Sequence, residues 1–93
     1  MVLATTTTFD PTLPWELNHR VSLREEAFGA LAYHHVTRRL VFLKSPELVT
    51  LVRRLHEFAS VHSALEATVS DVDHPRYLEA LGSLVHSEIL SER

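Results

Sequence analysis

The chain has 93 residues, with 45% hydrophobic and 23% charged side chains and a formal net charge of −3. A chain this short forms one domain with a modest core, burying about 60–65% of the surface it exposes when unfolded, and its ordinary composition excludes disordered, collagen-like and coiled-coil classes. The absence of cysteine excludes disulfides, thiolate metal sites, iron–sulfur ligation and a cysteine nucleophile, and no stretch approaches the roughly 18 apolar residues of a membrane span.

Residues 1–14 read as an extended N-terminal arm. Thr5 to Thr8 is a threonine run, and Pro11 and Pro14 keep the backbone extended. Met1 to Phe9 has neither a basic start nor a long apolar run, so it is not a secretory signal. With no cysteine, this fits a cytoplasmic protein with no membrane partner. Trp15 is expected to anchor the arm on a single domain spanning 15–93.

From Glu16 to Lys44 the pattern is strand-like. Val21 and Leu23 alternate with Ser22 and Arg24, a period of two. Glu25-Glu26-Ala27 reads as a turn. Phe28 to Val36 is a second strand, with Phe28, Ala30 and Ala32 on one face and Gly29, Leu31 and Tyr33 on the other. His34 to Thr37 is a hairpin connection without the Asn-Gly or Asp-Gly signal. Arg38 to Leu43 is the third strand of an antiparallel meander.

At Ser45 the period changes to 3.6. Ser45 caps, Pro46 suits the first helical position, and Glu47 sits where the helix dipole favours an acid. Leu48, Leu51, Val52, Leu55, Phe58 and Ala59 then share one face. A second helix covers Val61 to Val69. A third begins near Asp73 or His74 with Pro75 in its first turn, and its apolar face is Tyr77, Leu78, Leu81, Leu84, Val85 and Ile89. The fold class is therefore α+β: a three-stranded antiparallel sheet followed by three helices, winged-helix-like, with no internal repeat.

No catalytic constellation is visible. The seven histidines, His19, His34, His35, His56, His62, His74 and His86, include no H-E-x-x-H and no i, i+4 pair on a helix. His34 and His35 are adjacent and point to opposite faces. Ordinary histidines account for them better than a metal site does. With Gly29 and Gly82 as the only glycines, neither a nucleophile elbow nor a phosphate-cradling loop can form. Glu25 and Glu26, the only paired carboxylates, sit in a turn facing solvent. No cofactor is expected.

Two features point to binding. Between Arg38 and Arg54 there are five basic residues, Arg38, Arg39, Lys44, Arg53 and Arg54, against the single acid Glu47, while the rest of the chain carries four basic and eleven acidic residues. A basic face on an acidic protein suits an acidic partner at one place, and equally a solvated face with counter-charges nearby. The third strand is a sheet edge, and an unpaired edge accepts an extended peptide as its next strand. Charged residues on an edge also serve to block unwanted pairing.

The run from Trp15 to Pro46, and above all FGALAYHHVTRRLVFLKSP from Phe28 to Pro46, resembles the mycofactocin biosynthesis chaperones, the B proteins of that pathway. FDPTLPWEL before it and YLEALGSLVHSEIL from Tyr77 to Leu90 are similar to the same family, leaving out the arm Met1 to Thr8 and the stretch Ser60 to Arg76. That family belongs to the precursor-peptide recognition elements and is similar in fold to the peptide chaperone of the pyrroloquinoline-quinone pathway, with three strands followed by three helices. The resemblance implies a non-catalytic protein that binds the leader of a ribosomally made precursor peptide. It would present the Val-Tyr tail to a radical S-adenosylmethionine maturase, which would hold the iron–sulfur clusters. It further implies that the leader lies as a fourth strand on the third, in a groove beside the third helix. The residues so indicated are Arg38, Arg39, Leu40, Val41 and Phe42, with Tyr77, Leu81, Leu84 and Val85 across the groove. Leaders of this type are rich in acids and suit the basic window. Leu40, Phe42, Leu81 and Val85 are equally suited to a plain core.

The competing reading is a winged-helix DNA-binding protein. Its recognition helix should be basic, whereas the third helix here is expected to carry Arg76 and Arg93 against Glu79, Glu88 and Glu92 and to repel phosphates. No nucleic-acid partner is expected.

Overall fold

A computed structural model describes residues 9–93. Its elements are β1 (Trp15–Leu17), β2 (Val21–Glu26), β3 (Gly29–His34), β4 (Leu40–Leu43), α1 (Pro46–Arg54), α2 (Val61–Thr68), α3 (His74–His86) and β5 (Leu90–Glu92), with single 3-10 turns at Leu55–Glu57 and Asp71–Asp73. β2, β3 and β4 form a three-stranded antiparallel sheet in that order, followed by the three helices. The architecture is α+β, as the pattern of periods predicts.

Two short strands were not anticipated. β1 and β5 pair antiparallel, Trp15 opposite Glu92 and Leu17 opposite Leu90, and tie the two ends of the domain together. Three residues are too few to display an alternation. β5 is also masked by the apolar period of α3, which was expected to run through Ile89. The helix stops earlier because Glu88 adopts a left-handed backbone (φ 65°). Its amide bonds to the Val85 carbonyl, and the Ile89 amide bonds to the Leu84 carbonyl. These are the two bonds of a Schellman ending, here built without glycine. Ile89 is fully buried, but beyond the helix.

The β2–β3 turn also departs from expectation. β2 continues through Glu26 and the turn falls on Ala27 and Phe28. Phe28 therefore leaves the face of Ala30 and Ala32 and stands in solvent. Gly29 explains the shift: a Cβ there would lie 1.9 Å from the Leu43 carbonyl oxygen, so only glycine lets β3 and β4 meet at that point. α1 is shorter than its pattern, giving way to the 3-10 turn at Leu55 and leaving Ala59 exposed.

The helix starts follow the caps. Ser45 Oγ accepts from the Leu48 amide and Ser60 Oγ from the Ser63 amide, both at 3.1 Å. The core lies between the inner sheet face (Val21, Ala30, Ala32, Leu43) and the apolar faces of all three helices, with Trp15 and Leu90 closing one end. Trp15 Nε1 donates to the Asp10 carbonyl at 2.9 Å. Of the expected arm, 1–8 lie outside the described residues. Residues 9–14 run against the domain, where the Pro11 and Leu13 carbonyls accept from the His62 and Val61 amides. Among the described residues no helix is long and apolar enough to cross a membrane.

Candidate functional site

β4 is an edge. Its pairs with β3 are Ala30–Leu43, Leu31–Phe42, Ala32–Val41 and Tyr33–Leu40. The His34 amide donates to the Arg39 carbonyl at 2.9 Å, which fixes the alternation of an antiparallel ladder from that pair onward. Val41 and Leu43 spend their main-chain groups on β3. Leu40 and Phe42 turn theirs to the open side, where no other strand of the described residues pairs with them.

The turn that presents this edge is organised from within. The Arg38 amide bonds to the His34 carbonyl at 2.8 Å, and Arg38 has a left-handed backbone (φ 68°). Two residues, Arg38 and Arg39, thus oppose the single His34, which is the bulge that follows a three-residue hairpin loop. The third strand accordingly starts at Leu40 rather than at the expected Arg38, and both arginines belong to the turn. His34, the one buried polar residue among those described, accepts on Nδ1 from the amides of Val36 and Thr37, both at 3.1 Å.

Beyond the open edge lies a cleft of about 320 Å³ between β4, the start of α1 and one flank of α3. Val41 and Phe42 line it from the strand, Lys44, Ser45 and Leu48 from the entry to α1, and Arg76, Tyr77, Ala80, Ser83 and Leu84 from α3. Of the nine residues singled out from the sequence, Val41, Phe42, Tyr77 and Leu84 meet here. Leu40 lies on the edge with its side chain exposed on the outer sheet face, and Arg38 and Arg39 stand at the turn end of the strand. Leu81 and Val85 do not line the cleft. They are wholly buried beneath its wall, in the core.

Sequence reasoning named Lys44 only within the basic window and did not place Ser45, Leu48, Arg76, Ala80 or Ser83 at the site. The signal was available: Arg76, Ala80 and Ser83 recur at helical spacing beside the apolar stripe of α3, on the border where a helix face is half wet. Among the described residues, Lys44 and Arg76 are the only charged ones lining the cleft. Arg76 lies over the Tyr77 ring, 5.1 Å from its centroid, and pairs with Asp73 at 3.3 Å.

The basic window separates into two groups. Arg53 pairs with Glu25 at 2.8 Å and Arg54 with Glu57 at 3.1 Å. Among the described residues Arg38, Arg39 and Lys44 have no carboxylate at ion-pair distance, and they bracket β4 at its two ends. Donors and acceptors in a row, an apolar floor and unopposed cations have the chemistry to take an extended acidic chain. No group of three or more His, Cys, Asp or Glu side chains placed to hold a metal ion occurs among the described residues. The Asp10 carboxyl is held below its ordinary range by hydrogen bonds from the Thr12 hydroxyl and amide.

Comparison with known proteins places the chain among the peptide chaperones. The model of the Peptide chaperone MftB family matches residues 14–91. Peptide chaperone MftB of Mycolicibacterium smegmatis is 48% identical over 84 residues, covering 89% of this chain and 82% of that protein. The protein of the same name from Mycobacterium ulcerans is 45% identical over 83 residues, covering 88% and 76%. That from Mycobacterium tuberculosis is 42% identical over 86 residues, covering 91% and 79%. No solved structure gives a significant match. The chain belongs to the peptide chaperone MftB family, in agreement with its resemblance to the mycofactocin chaperones.

Proposed function

We propose that the protein is a non-catalytic peptide chaperone of mycofactocin-type redox cofactor biosynthesis. It binds the leader of a ribosomally synthesised precursor peptide by strand addition on β4 and presents it to a radical S-adenosylmethionine maturase. The leader enters the cleft between β4 and α3, and the sheet with its three helices acts as a winged-helix-like recognition element in the cytoplasm. The carrying observation is the open edge, where the N–H and C=O groups of Leu40 and Phe42 face a part-apolar cleft. Strand addition supplies affinity through the main chain, and Val41, Leu48, Tyr77, Ala80 and Leu84 offer an apolar floor to alternate side chains of the leader.

Arg38, Arg39 and Lys44 steer the encounter, because opposite charge raises association rates more than it raises final affinity. Arg38 and Arg39 lie outside the strand and act at the turn end; Lys44 and Arg76 act at the other. Leu81 and Val85 support the cleft wall from the core.

The test is isothermal titration of the protein with the acidic leader from which the tail has been deleted. Stoichiometric binding is expected, with affinity that falls as salt rises. Arg38→Glu with Arg39→Glu should slow association and flatten that salt dependence. No binding of leader, with or without the maturase, defeats the reading and makes duplex DNA the next ligand to examine.

A further inference from the structure

Among the described residues no helix covers the outer face of the three-stranded sheet. Residues paired across the strands share a face, so Arg24, Leu31 and Phe42 form one row, and Ser22, Tyr33 and Leu40 the next. Leu40 is 63% exposed, Phe28 53% and Phe42 41%. The Phe28 and Phe42 rings meet edge-on at 4.9 Å, and Tyr33 stacks edge-on against His35 at 4.9 Å. A contiguous exposed apolar surface of this kind on a soluble domain marks an interaction site. It is distinct from the cleft: Phe28, Leu31 and Tyr33 line none of it, and only Phe42 touches both.

Its chemistry selects the occupant. Arg24 borders the patch, Arg38 and Arg39 stand at its turn end and Lys44 at the opposite end, while Glu26 is tied to Arg24 at 2.9 Å. A second copy laid face to face would set cations against cations. The patch is also small. Five large side chains fall well short of the roughly 20–30 residues a side of a standard interface. A strand added to β4 changes this, because its outward side chains fall beside Leu40 and Phe42 and extend the same face.

We infer that the outer sheet face, completed by the bound peptide, is the docking surface for a partner protein that presents an apolar patch edged by carboxylates. This rests on the strand-addition reading of β4. The partner then recognises the loaded chaperone over the empty one, and by linkage the partner must tighten the hold on the peptide by the same factor.

The experiment measures affinity for the radical S-adenosylmethionine maturase with and without saturating leader, in the wild type and in the separate variants Phe28→Asp and Tyr33→Asp. Both substitutions sit outside the cleft, so leader titration and a thermal transition report whether fold and peptide site are intact. Leader is expected to raise the wild-type affinity for the enzyme by about tenfold or more. Both variants should bind leader as the wild type does and lose that gain. Variants that bind leader and enzyme like the wild type overturn the docking surface and leave the peptide reading standing. A wild-type dimer in sedimentation that either variant dissolves assigns the face to a second copy and overturns it equally. Failure of leader to bind the wild type removes the strand-addition reading itself.

Discussion

Main-chain amides of β4 offer the sharpest test of strand addition, because antiparallel pairing makes them alternate. Val41 and Leu43 donate to β3, whereas Leu40 and Phe42 donate to solvent in the empty protein. Amide exchange read residue by residue should therefore run fast, slow, fast, slow from Leu40 to Leu43. An added strand engages two donors and two acceptors. At about 0.5–1.5 kcal/mol net for each main-chain bond, those four supply about 2–6 kcal/mol. With leader at 100 times its Kd, the open amides exchange only from the unbound fraction, so Leu40 and Phe42 slow by about 100-fold, equivalent to about 2.7 kcal/mol. The alternation should collapse to four slow amides. Nuclear magnetic resonance exchange on the free and loaded protein measures both states. If leader binds while Leu40 and Phe42 remain fast, the added strand lies elsewhere; if the empty protein shows no alternation, the edge is already occupied and the reasoning fails.

Other substitutions probe the frame around the edge. His34→Ala removes the acceptor for the Val36 and Thr37 amides and should cost about 2–4 kcal/mol in chemical denaturation; a near-neutral result means the imidazole does not hold the turn. Leu81→Ala, at a fully buried position, should cost about 2–5 kcal/mol while the folded variant binds leader normally, and a selective loss of leader affinity would put Leu81 in the site after all. Glu88→Gly relieves a left-handed non-glycine residue, a strain of about 1–2 kcal/mol, against roughly 0.5–1 kcal/mol of added chain entropy, so the melting temperature should rise slightly. Asp10 has a lowered folded pKa, so its contribution is present above the unfolded value of about 3.9 and lost as pH falls through the lower folded value. The Thr12 amide resonance should follow that titration, and a midpoint at or above the ordinary carboxylate range contradicts it.

The parts of the fold that could be read from the chain were those with enough residues to show a period. Four residues of alternation, Val21 to Arg24, gave most of β2, and thirteen residues of helical spacing with a proline at the start gave α3. Single backbone conformations escaped. The left-handed Arg38 moved the start of β4 by two residues, and the left-handed Glu88 ended α3 three residues before its last apolar residue. Neither arginine nor glutamate advertises that conformation. The site was legible as a strand and a helix but not as a cleft. Leu81 and Val85 belong to the same apolar stripe as Tyr77 and Leu84, and periodicity alone cannot say which members of a stripe meet a neighbour and which meet a gap. Ala80 and Ser83 were passed over because a cleft lining is made of the border residues that a hydrophobic pattern discards.

The cations left over after local pairing also bear on what an empty edge does. Leu40 and Phe42 expose the groups that would pair with a second copy of β4, and the two-fold register that joins Leu40 of one copy to Phe42 of the other brings the Arg38–Arg39 turn of each copy to the Lys44 end of its partner. Like charges facing each other across strands are destabilising, so the arrangement that satisfies the main chain is penalised by the side chains. An acidic peptide in the same register converts both penalties into attractions. Since Arg53 and Arg54 are already matched by Glu25 and Glu57, the discrimination rests on the turn pair Arg38 and Arg39 and on Lys44. On the proposed reading, one set of charges would guard the edge against self-pairing and make it receptive to an acidic strand, which would keep an unpaired strand available on so small a domain.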